Sequence, residues 1–184
     1  SLDDWLINGE DTPAIHYMME NGIVFDNLYT PQYSSGYTFN TEFAFNTGVY
    51  PYTNSNAAYA LANNDFSLSL AHLFAQKGYR VNSYHRSSPN FYNRGVMHTA
   101  FGYEKYNGFY SFWETDVSRE NDLFLVRSDM AYGDMVSGEP FMSFVITYSP
   151  HLPYDDTDAT SQEALALHPE YDPKDEISVL RAKV

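Results

Sequence analysis

The segment Ser67-Leu-Ser-Leu-Ala-His-Leu-Phe-Ala-Gln-Lys-Gly-Tyr-Arg-Val-Asn-Ser-Tyr-His85 joins a helical pattern to a strand pattern. Apolar residues recur at helical spacing between Ser67 and Lys77, and Gly78 is a typical residue for the C-terminal end of a helix. Residues 79–84 then predict a strand that ends at His85. A helix that leads at once into a strand indicates an α/β protein.

The rest of the chain repeats this alternation. Thr12-Pro13 is a typical helix start, because Thr is a good N-cap and Pro fits the first helical position. Further helices are predicted over residues 13–21, 90–100, 118–135 and 174–184, and further strands over residues 23–29 and 140–147. Alternating helices and strands predict an α/β fold with a largely parallel sheet and helices on both faces.

Composition limits the function. The chain has 184 residues, 24 acidic and 10 basic side chains, and a formal net charge of -14. This charge argues against nucleic acid or an anionic membrane surface as the main partner, because both require a cationic face. The absence of cysteine excludes disulfides, thiolate catalysis and zinc–sulfur sites. No apolar run approaches the ~20 residues that span a bilayer.

Polar side chains follow three of the predicted strands. Thr38 comes in the loop after residues 23–29, His85 ends the next strand, and His151 follows residues 140–147. In parallel sheets, ligands bind at the carboxyl ends of the strands, which predicts a site there. Thr38 also precedes a short helical pattern. A hydroxyl at a helix N-terminus sits where negative charge is favoured, although capping of the helix is the simpler interpretation.

Each of the other candidate side chains has two interpretations. Arg94 can make a bidentate contact to a phosphate, or it can form a salt bridge in this acidic chain. Tyr92 either packs or flanks a substrate. His85 and His151 are either ligands of a substrate or hydrogen-bonded loop residues.

The remaining histidines and carboxylates carry weaker signals. His72 and His98 lie inside predicted helices and are interpreted as structural. Two groups of carboxylates could bind a metal. The first is Asp3 and Asp4, and the second is Asp155, Asp156 and Asp158. The second group is better explained as an exposed acidic loop.

Several motifs occur in the order found in one known family. They are Gly36-Tyr-Thr38-Phe-Asn-Thr-Glu42-Phe, His85 with Phe91-Tyr-Asn-Arg94, Gly102-Tyr, and Ser149-Pro-His151-Leu-Pro-Tyr154. In this order they resemble the lipoteichoic acid synthase family. These are phosphoglycerol transferases of the sulfatase-like, alkaline phosphatase superfamily. The resemblance covers essentially the whole chain.

The resemblance implies a function and its residues. Thr38 would be the nucleophile and a ligand of a divalent metal, usually Mn²⁺. It would attack the phosphodiester of a phosphatidylglycerol-type lipid head group, release diacylglycerol, and pass glycerophosphate to a growing polymer acceptor. His85, Tyr92, Arg94 and His151 would bind the substrate. The whole protein would be anchored at the extracytoplasmic face of a bacterial cell membrane.

The sequence departs from the family at three places. Tyr37 replaces the usual Lys, Phe39-Asn40 replaces Ser-Asp, and Tyr92 replaces Trp. These changes leave open a phosphodiesterase or a phosphoethanolamine transferase on the same scaffold. A sulfatase is disfavoured, because the Cys/Ser-x-Pro-x-Arg signature is absent. A non-catalytic glycan-binding module that uses a Tyr-rich surface is the alternative from another class.

The resemblance also implies that residues 1–184 are part of one sulfatase-like catalytic domain, truncated at both ends. A metal-ligating Glu would immediately precede Ser1-Leu2, and an Asp-His metal pair would follow Val184. Of the expected ligands, only Thr38 would then be present. We therefore expect this soluble segment to bind Mn²⁺ weakly and to lack turnover by itself.

Overall fold

The computed structural model describes residues 6–28, 38–51, 56–108, 122–123 and 129–184. The helices and strands, in chain order, are α1 (Pro13–Asn21), α2 (Thr38–Thr47), α3 (Ala57–Ala60), α4 (Leu70–Ala75), β1 (Arg80–Tyr84), a 3₁₀ turn (Phe91–Asn93), α5 (Arg94–Ala100), β2 (Lys105–Asn107), α6 (Asp129–Val136), β3 (Phe141–Val145), α7 (Ala159–Leu167) and α8 (Glu176–Lys183).

The chain forms two compact units. The first unit comprises residues 1–29 and 149–184, and the second comprises residues 30–148. The second unit contains the sheet. In the part of the chain that the structure describes, no helix is both long and apolar enough to cross a membrane.

The sheet has three strands in the order β2-β1-β3, and both pairings are parallel. Within β1, Ser83 is paired with Tyr106 of β2 and with Phe144 of β3. Because the strands are parallel, their carboxyl ends lie at the same edge of the sheet. The α/β prediction with a parallel sheet is confirmed.

Helices contact both faces of β1, because successive side chains of a strand point in opposite directions. On one face, the Ser83 hydroxyl lies 2.7 Å from Nδ1 of His98 in α5. On the other face, Asn82 Nδ2 donates to Oδ2 of Asp134 in α6 at 2.9 Å, and the Tyr84 hydroxyl donates to the same oxygen. Burial, followed by the bond to Asp134, raises the pKa of Tyr84.

An aromatic core holds α2 and α4 against the sheet. Phe101 stacks on Phe39 and makes edge-on contacts with Phe43 and Phe66, with ring centroids 5.1 to 6.2 Å apart. Offset and edge-on contacts of this kind are the favourable geometries for aromatic rings. The core residues are Phe39, Phe43, Ala57, Ala58, Phe66, Ala71, Val81, Met97, Phe101 and Tyr103.

Local sequence signals explain where several elements begin and end. Gly78 and Gly102 have φ angles of 79° and 95°, a region that glycine enters without the Cβ clash of other residues. Ser69 caps α4, because its side chain accepts a hydrogen bond from the amide of His72.

The first unit contains α1, α7 and α8. Helix α1 begins after Thr12, with Pro13 at its start, as predicted. Helices α7 and α8 pack together, and each has an aspartate cap: Asp158 accepts from the Ser161 amide and Asp175 from the Ser178 amide. The acidic stretch after His151 therefore leads into a helix that the sequence did not predict.

The predicted strand over residues 23–29 is wrong for the part that the structure describes. Residues 23–28 form turns and irregular backbone, and Ile23, Phe25 and Leu28 are exposed. An apolar run becomes a strand only where a neighbouring strand pairs with its backbone, and none of the described residues does so here.

Other helices differ from their predicted bounds. The predicted helix over 90–100 is broken at Tyr92 and Asn93, and α4 is shorter than residues 67–77. Of the predicted helix over 118–135, the structure describes α6, while Ser118 lies outside the described residues. Helix α3 and strand β2 were not predicted, because each is very short.

Candidate active site

His85 immediately follows β1 and is buried, with 3% of its surface exposed. Its Nδ1 lies 2.9 Å from the carbonyl oxygen of Ile146, the residue that follows β3. Because a carbonyl oxygen only accepts, Nδ1 carries the proton and Nε2 keeps its lone pair. The bond joins the carboxyl ends of two parallel strands, where a ligand site is expected.

The pKa of His85 is lowered to about 4, first by burial and then by the positive charge of Arg94. The imidazole is therefore neutral at physiological pH. In that state Nε2 is a hydrogen-bond acceptor, or a base that can receive a proton.

The backbone before Arg94 has an uncommon conformation. Tyr92 and Asn93 have φ angles of 55° and 51°. Asn adopts this left-handed region more readily than Tyr, and Asn93 is anchored by a 3.0 Å bond from its Nδ2 to the carbonyl of Ala58. Strained backbone of this kind is concentrated at functional sites. Here it ends the 3₁₀ turn and starts α5 at Arg94.

Arg94 is buried, with 2% of its surface exposed. Its Cζ lies 5.1 Å from the ring centroid of Tyr92 and 5.8 Å from that of Phe91. Its Nε donates to the Glu42 carboxylate, 3.0 Å from Oε2 and 3.3 Å from Oε1. Its Nη1 is buried and has no hydrogen-bond partner among the described residues.

Glu42 and His98 contact this site, although neither was assigned a functional role from the sequence. Glu42 Oε1 lies 2.5 Å from His98 Nε2, and His98 Nδ1 lies 2.7 Å from the hydroxyl of Ser83. His98, interpreted from sequence as structural, is fully buried next to the carboxylate of Glu42. One sequence feature could have indicated a role for Glu42: it is a charged residue between the apolar Phe39 and Phe43 on one short helix.

Thr38 is the first residue of α2 and is exposed. It lies one helical turn before Glu42, and residues four apart share a face of a helix. The face that carries the Thr38 hydroxyl therefore also carries the carboxylate that binds Arg94. The segment that leads into Thr38, including Gly36 and Tyr37, lies outside the described residues.

His151 belongs to the first unit and is exposed. Its loop is bound by Lys183, whose Nζ donates to the carbonyls of His151 and Pro153 and to Oδ2 of Asp158. The structure thus places Tyr92 beside Arg94, and it binds Arg94 to Glu42 of the helix that begins at Thr38. His85 lies at the carboxyl end of β1, bonded to Ile146. His151 is held separately within its own unit.

The described residues do not by themselves make a metal site. Among them, no three histidine, aspartate or glutamate side chains converge in a way that could hold a metal ion. Asp155 and Asp158 instead bind backbone amides, those of Thr157 and Ser161. Asp3 and Asp4 lie outside the described residues. Of the ligands that the resemblance implies, Thr38 lies among the described residues, as the first residue of α2.

Comparison with known proteins is consistent with this architecture. The sulfatase family matches residues 3–172. The chain is 25% identical over 175 residues to lipoteichoic acid synthase 1 of Bacillus subtilis, an alignment that covers 89% of this chain and 27% of the relative. It is 26% identical over 170 residues to the lipoteichoic acid synthase of Staphylococcus aureus, covering 86% of this chain and 26% of the relative.

A solved structure shares the fold. The lipoteichoic acid synthase LtaP from Listeria monocytogenes superposes with a TM-score of 0.62 at 17% identity, covering 82% of this chain and 37% of that chain. This chain spans about a quarter of the length of the curated relatives it matches. The parallel sheet, the family match and these relatives together identify the chain as a member of the sulfatase family, related to the lipoteichoic acid synthases.

Proposed function

We propose that the protein is a phosphoglycerol transferase or phosphodiesterase that uses Thr38 as its nucleophile on a phosphatidylglycerol-type lipid. The observation that carries this proposal is the buried Arg94, whose Nη1 has no partner among the described residues. Its carboxylate partner, Glu42, lies one helical turn after the exposed Thr38 on α2. A guanidinium with a free donor is well suited to a phosphate oxygen.

The proposed reaction has two steps. In the first, the Thr38 oxygen attacks phosphorus, a Thr–O–P bond forms, and the P–O bond to diacylglycerol breaks. The hydroxyl proton ends on the departing diacylglycerol oxygen. In the second step, a hydroxyl of a glycerophosphate polymer, or water in a phosphodiesterase, displaces Thr38 and returns a proton to it.

The chain's own residues have separate roles in this proposal. Arg94 neutralises charge on the phosphate, and the strained turn before it fixes its direction. Neutral His85 offers Nε2 to a substrate hydroxyl or proton, and Tyr92 lines the pocket beside the guanidinium. His151 is proposed, by resemblance, to be a further substrate-binding residue.

A divalent metal, Mn²⁺ by resemblance, is also part of the proposal for the whole protein. When bound, it would lower the pKa of the Thr38 hydroxyl. Its other ligands would lie outside the described residues. We further propose that residues 1–184 belong to one catalytic domain, and that the protein acts at the extracytoplasmic face of a bacterial membrane.

The test is hydrolysis of bis(p-nitrophenyl) phosphate by the full-length protein, with and without Mn²⁺. Thr38→Ala is expected to abolish turnover, whereas Thr38→Ser, which keeps a hydroxyl, is expected to retain part of it. Thr47→Ala is the matched control, because Thr47 ends the same helix and its hydroxyl makes local bonds: it donates to the carbonyl of Phe43 and accepts from the amide of Val49. Mass spectrometry of protein exposed to phosphatidylglycerol is expected to find glycerophosphate on Thr38.

Two results would overturn the proposal. The first is full activity of Thr38→Ala, which would move the nucleophile elsewhere. The second is metal-independent glycan binding with no turnover, which would favour a binding module.

A further inference from the structure

A chain of buried polar groups runs from the sheet to Arg94 and has no role in the reaction proposed above. Its members, Ser83, His98 and Glu42, have 0%, 0% and 5% of their surfaces exposed. They come from β1, α5 and α2. Each link is a hydrogen bond of 2.5 to 3.0 Å, from Ser83 to His98, from His98 to Glu42, and from Glu42 to Arg94.

The bonding pattern assigns a direction to the chain. His98 Nε2 lies against a carboxylate oxygen, Glu42 Oε1, which can only accept, so Nε2 donates to Glu42. The Ser83 hydroxyl holds the other ring nitrogen, Nδ1, at 2.7 Å, and it also lies 3.4 Å from the carbonyl oxygen of Lys105. Glu42 remains an acceptor for Arg94 Nε, as an ionised carboxylate requires. Each member thus fixes the orientation of the next, and the carboxylate cannot rotate without breaking a bond at either end.

The position of Glu42 on the guanidinium is the decisive detail. The carboxylate contacts Nε, at the edge nearest the Arg94 side-chain stem, and the buried Nη1 lies at another corner of the planar group. A salt bridge that served only stability would gain by engaging every buried donor. Here one donor is held in a fixed direction without a partner among the described residues.

We propose that Glu42, oriented by His98 and Ser83, is a positioning residue that aims Nη1 of Arg94 at the anionic oxygen of a phosphate group. This inference rests on the proposed function for the identity of the anion, but it does not require that Thr38 reacts. It assigns a purpose to a buried negative charge beside an anion site, where charge alone would weaken binding.

That conflict between charge and geometry supplies the test. Removal of the Glu42 charge by Glu42→Gln should strengthen phosphate binding if only electrostatics matters. If Glu42 positions Arg94, the same substitution should weaken phosphate binding by about tenfold. Gln has one oxygen and one NH₂ group, so it cannot offer one acceptor oxygen to Arg94 Nε and a second to His98 Nε2. The probe is inorganic phosphate, titrated into the full-length protein by calorimetry.

Two further variants separate positioning from folding. Ser83→Ala removes only the far end of the chain and leaves every charge in place, so a loss of about two- to threefold is expected. Met97→Leu alters the fully buried residue next to His98 outside the chain of bonds, and its phosphate affinity should equal that of the wild type. If Glu42→Gln does not fold, Ser83→Ala decides.

The outcomes distinguish this inference from the proposed function. Thr38→Ala should lose turnover yet bind phosphate normally. Weakened phosphate binding in Glu42→Gln and Ser83→Ala supports the positioning role, whether or not the protein turns over a phosphodiester. The positioning role would be overturned if both variants bound phosphate as tightly as the wild type or more tightly. It would also be overturned if Met97→Leu lost as much affinity, or if the wild type did not bind phosphate.

Discussion

Arg94 and Lys183 are both buried cations, but their hydrogen bonding differs. The ammonium group of Lys183 has three hydrogens, and three oxygens accept them: the His151 carbonyl at 2.7 Å, the Pro153 carbonyl at 3.1 Å and Asp158 Oδ2 at 3.3 Å. Arg94 binds Glu42 through Nε and keeps Nη1 buried without a partner among the described residues.

This difference shows that burial of a positive charge does not by itself mark a ligand site. Lys183 is fully used in joining the end of α8 to the loop before α7, which is a structural role. An unpaired buried donor costs about 1–3 kcal/mol, a cost that a bound anion would remove. The number of unused donors therefore separates the two sites better than charge or burial does.

The largest effect is expected from Arg94→Lys in the full-length protein. Lysine presents a compact point charge and cannot serve Glu42 and a phosphate from one planar group. We expect kcat/KM for bis(p-nitrophenyl) phosphate to fall by about 100- to 1000-fold. Arg80→Lys is the matched control, because Arg80 lies on the other face of β1 and pairs with Asp134. If Arg94→Lys were as active as the wild type, Arg94 would have a structural role, like Lys183, and would not bind substrate.

Lys183→Met tests the other half of the comparison. The substitution keeps most of the side-chain volume but leaves Asp158 and two carbonyls without their donor. We expect the free energy of unfolding to fall by about 3 kcal/mol, as for other broken buried ion pairs. Lys174→Met, at an exposed lysine, should change it by less than about 0.5 kcal/mol. Urea denaturation measures both values, and an unchanged midpoint for Lys183→Met would contradict the structural role.

The smallest effect is the pH dependence that His85 brings to the Arg94 site. Its pKa of about 4 in the folded protein lies below the ordinary value of about 6.5. Between these values the unfolded chain binds more protons, so stability falls as the pH is lowered. The contribution of His85 to the free energy of unfolding is therefore fully present above about pH 6.5, and about 2 kcal/mol of it should be lost by pH 5.

His85→Asn isolates this effect, because an amide can still donate to the Ile146 carbonyl but does not titrate. Its stability should vary less between pH 7 and pH 5 than that of the wild type. Because Arg94 lowers the pKa of His85, Arg94→Met should raise that pKa in an NMR titration, whereas Lys183→Met should not. Identical pH profiles for wild type and His85→Asn would show that His85 is not held neutral by its surroundings.

Sequence reasoning was most successful where the chain interacts with itself locally. The strand that ends at His85 and the helix that begins after Thr12 follow from spacing, caps and glycines. It was least successful over residues 23–28, where an apolar run has no strand partner among the described residues. The functional roles assigned to Thr38, His85, Tyr92, Arg94 and His151 remain predictions.

The sequence by itself determined the alternation of helices and strands, and with it a parallel sheet that has polar residues at its carboxyl edge. These properties depend on backbone preferences and on contacts within a few residues. Only the tertiary structure decided that Glu42 meets Arg94, 52 residues away, and that His98 links them to the sheet. Such pairings depend on which buried groups the fold brings together, and no local pattern encodes that.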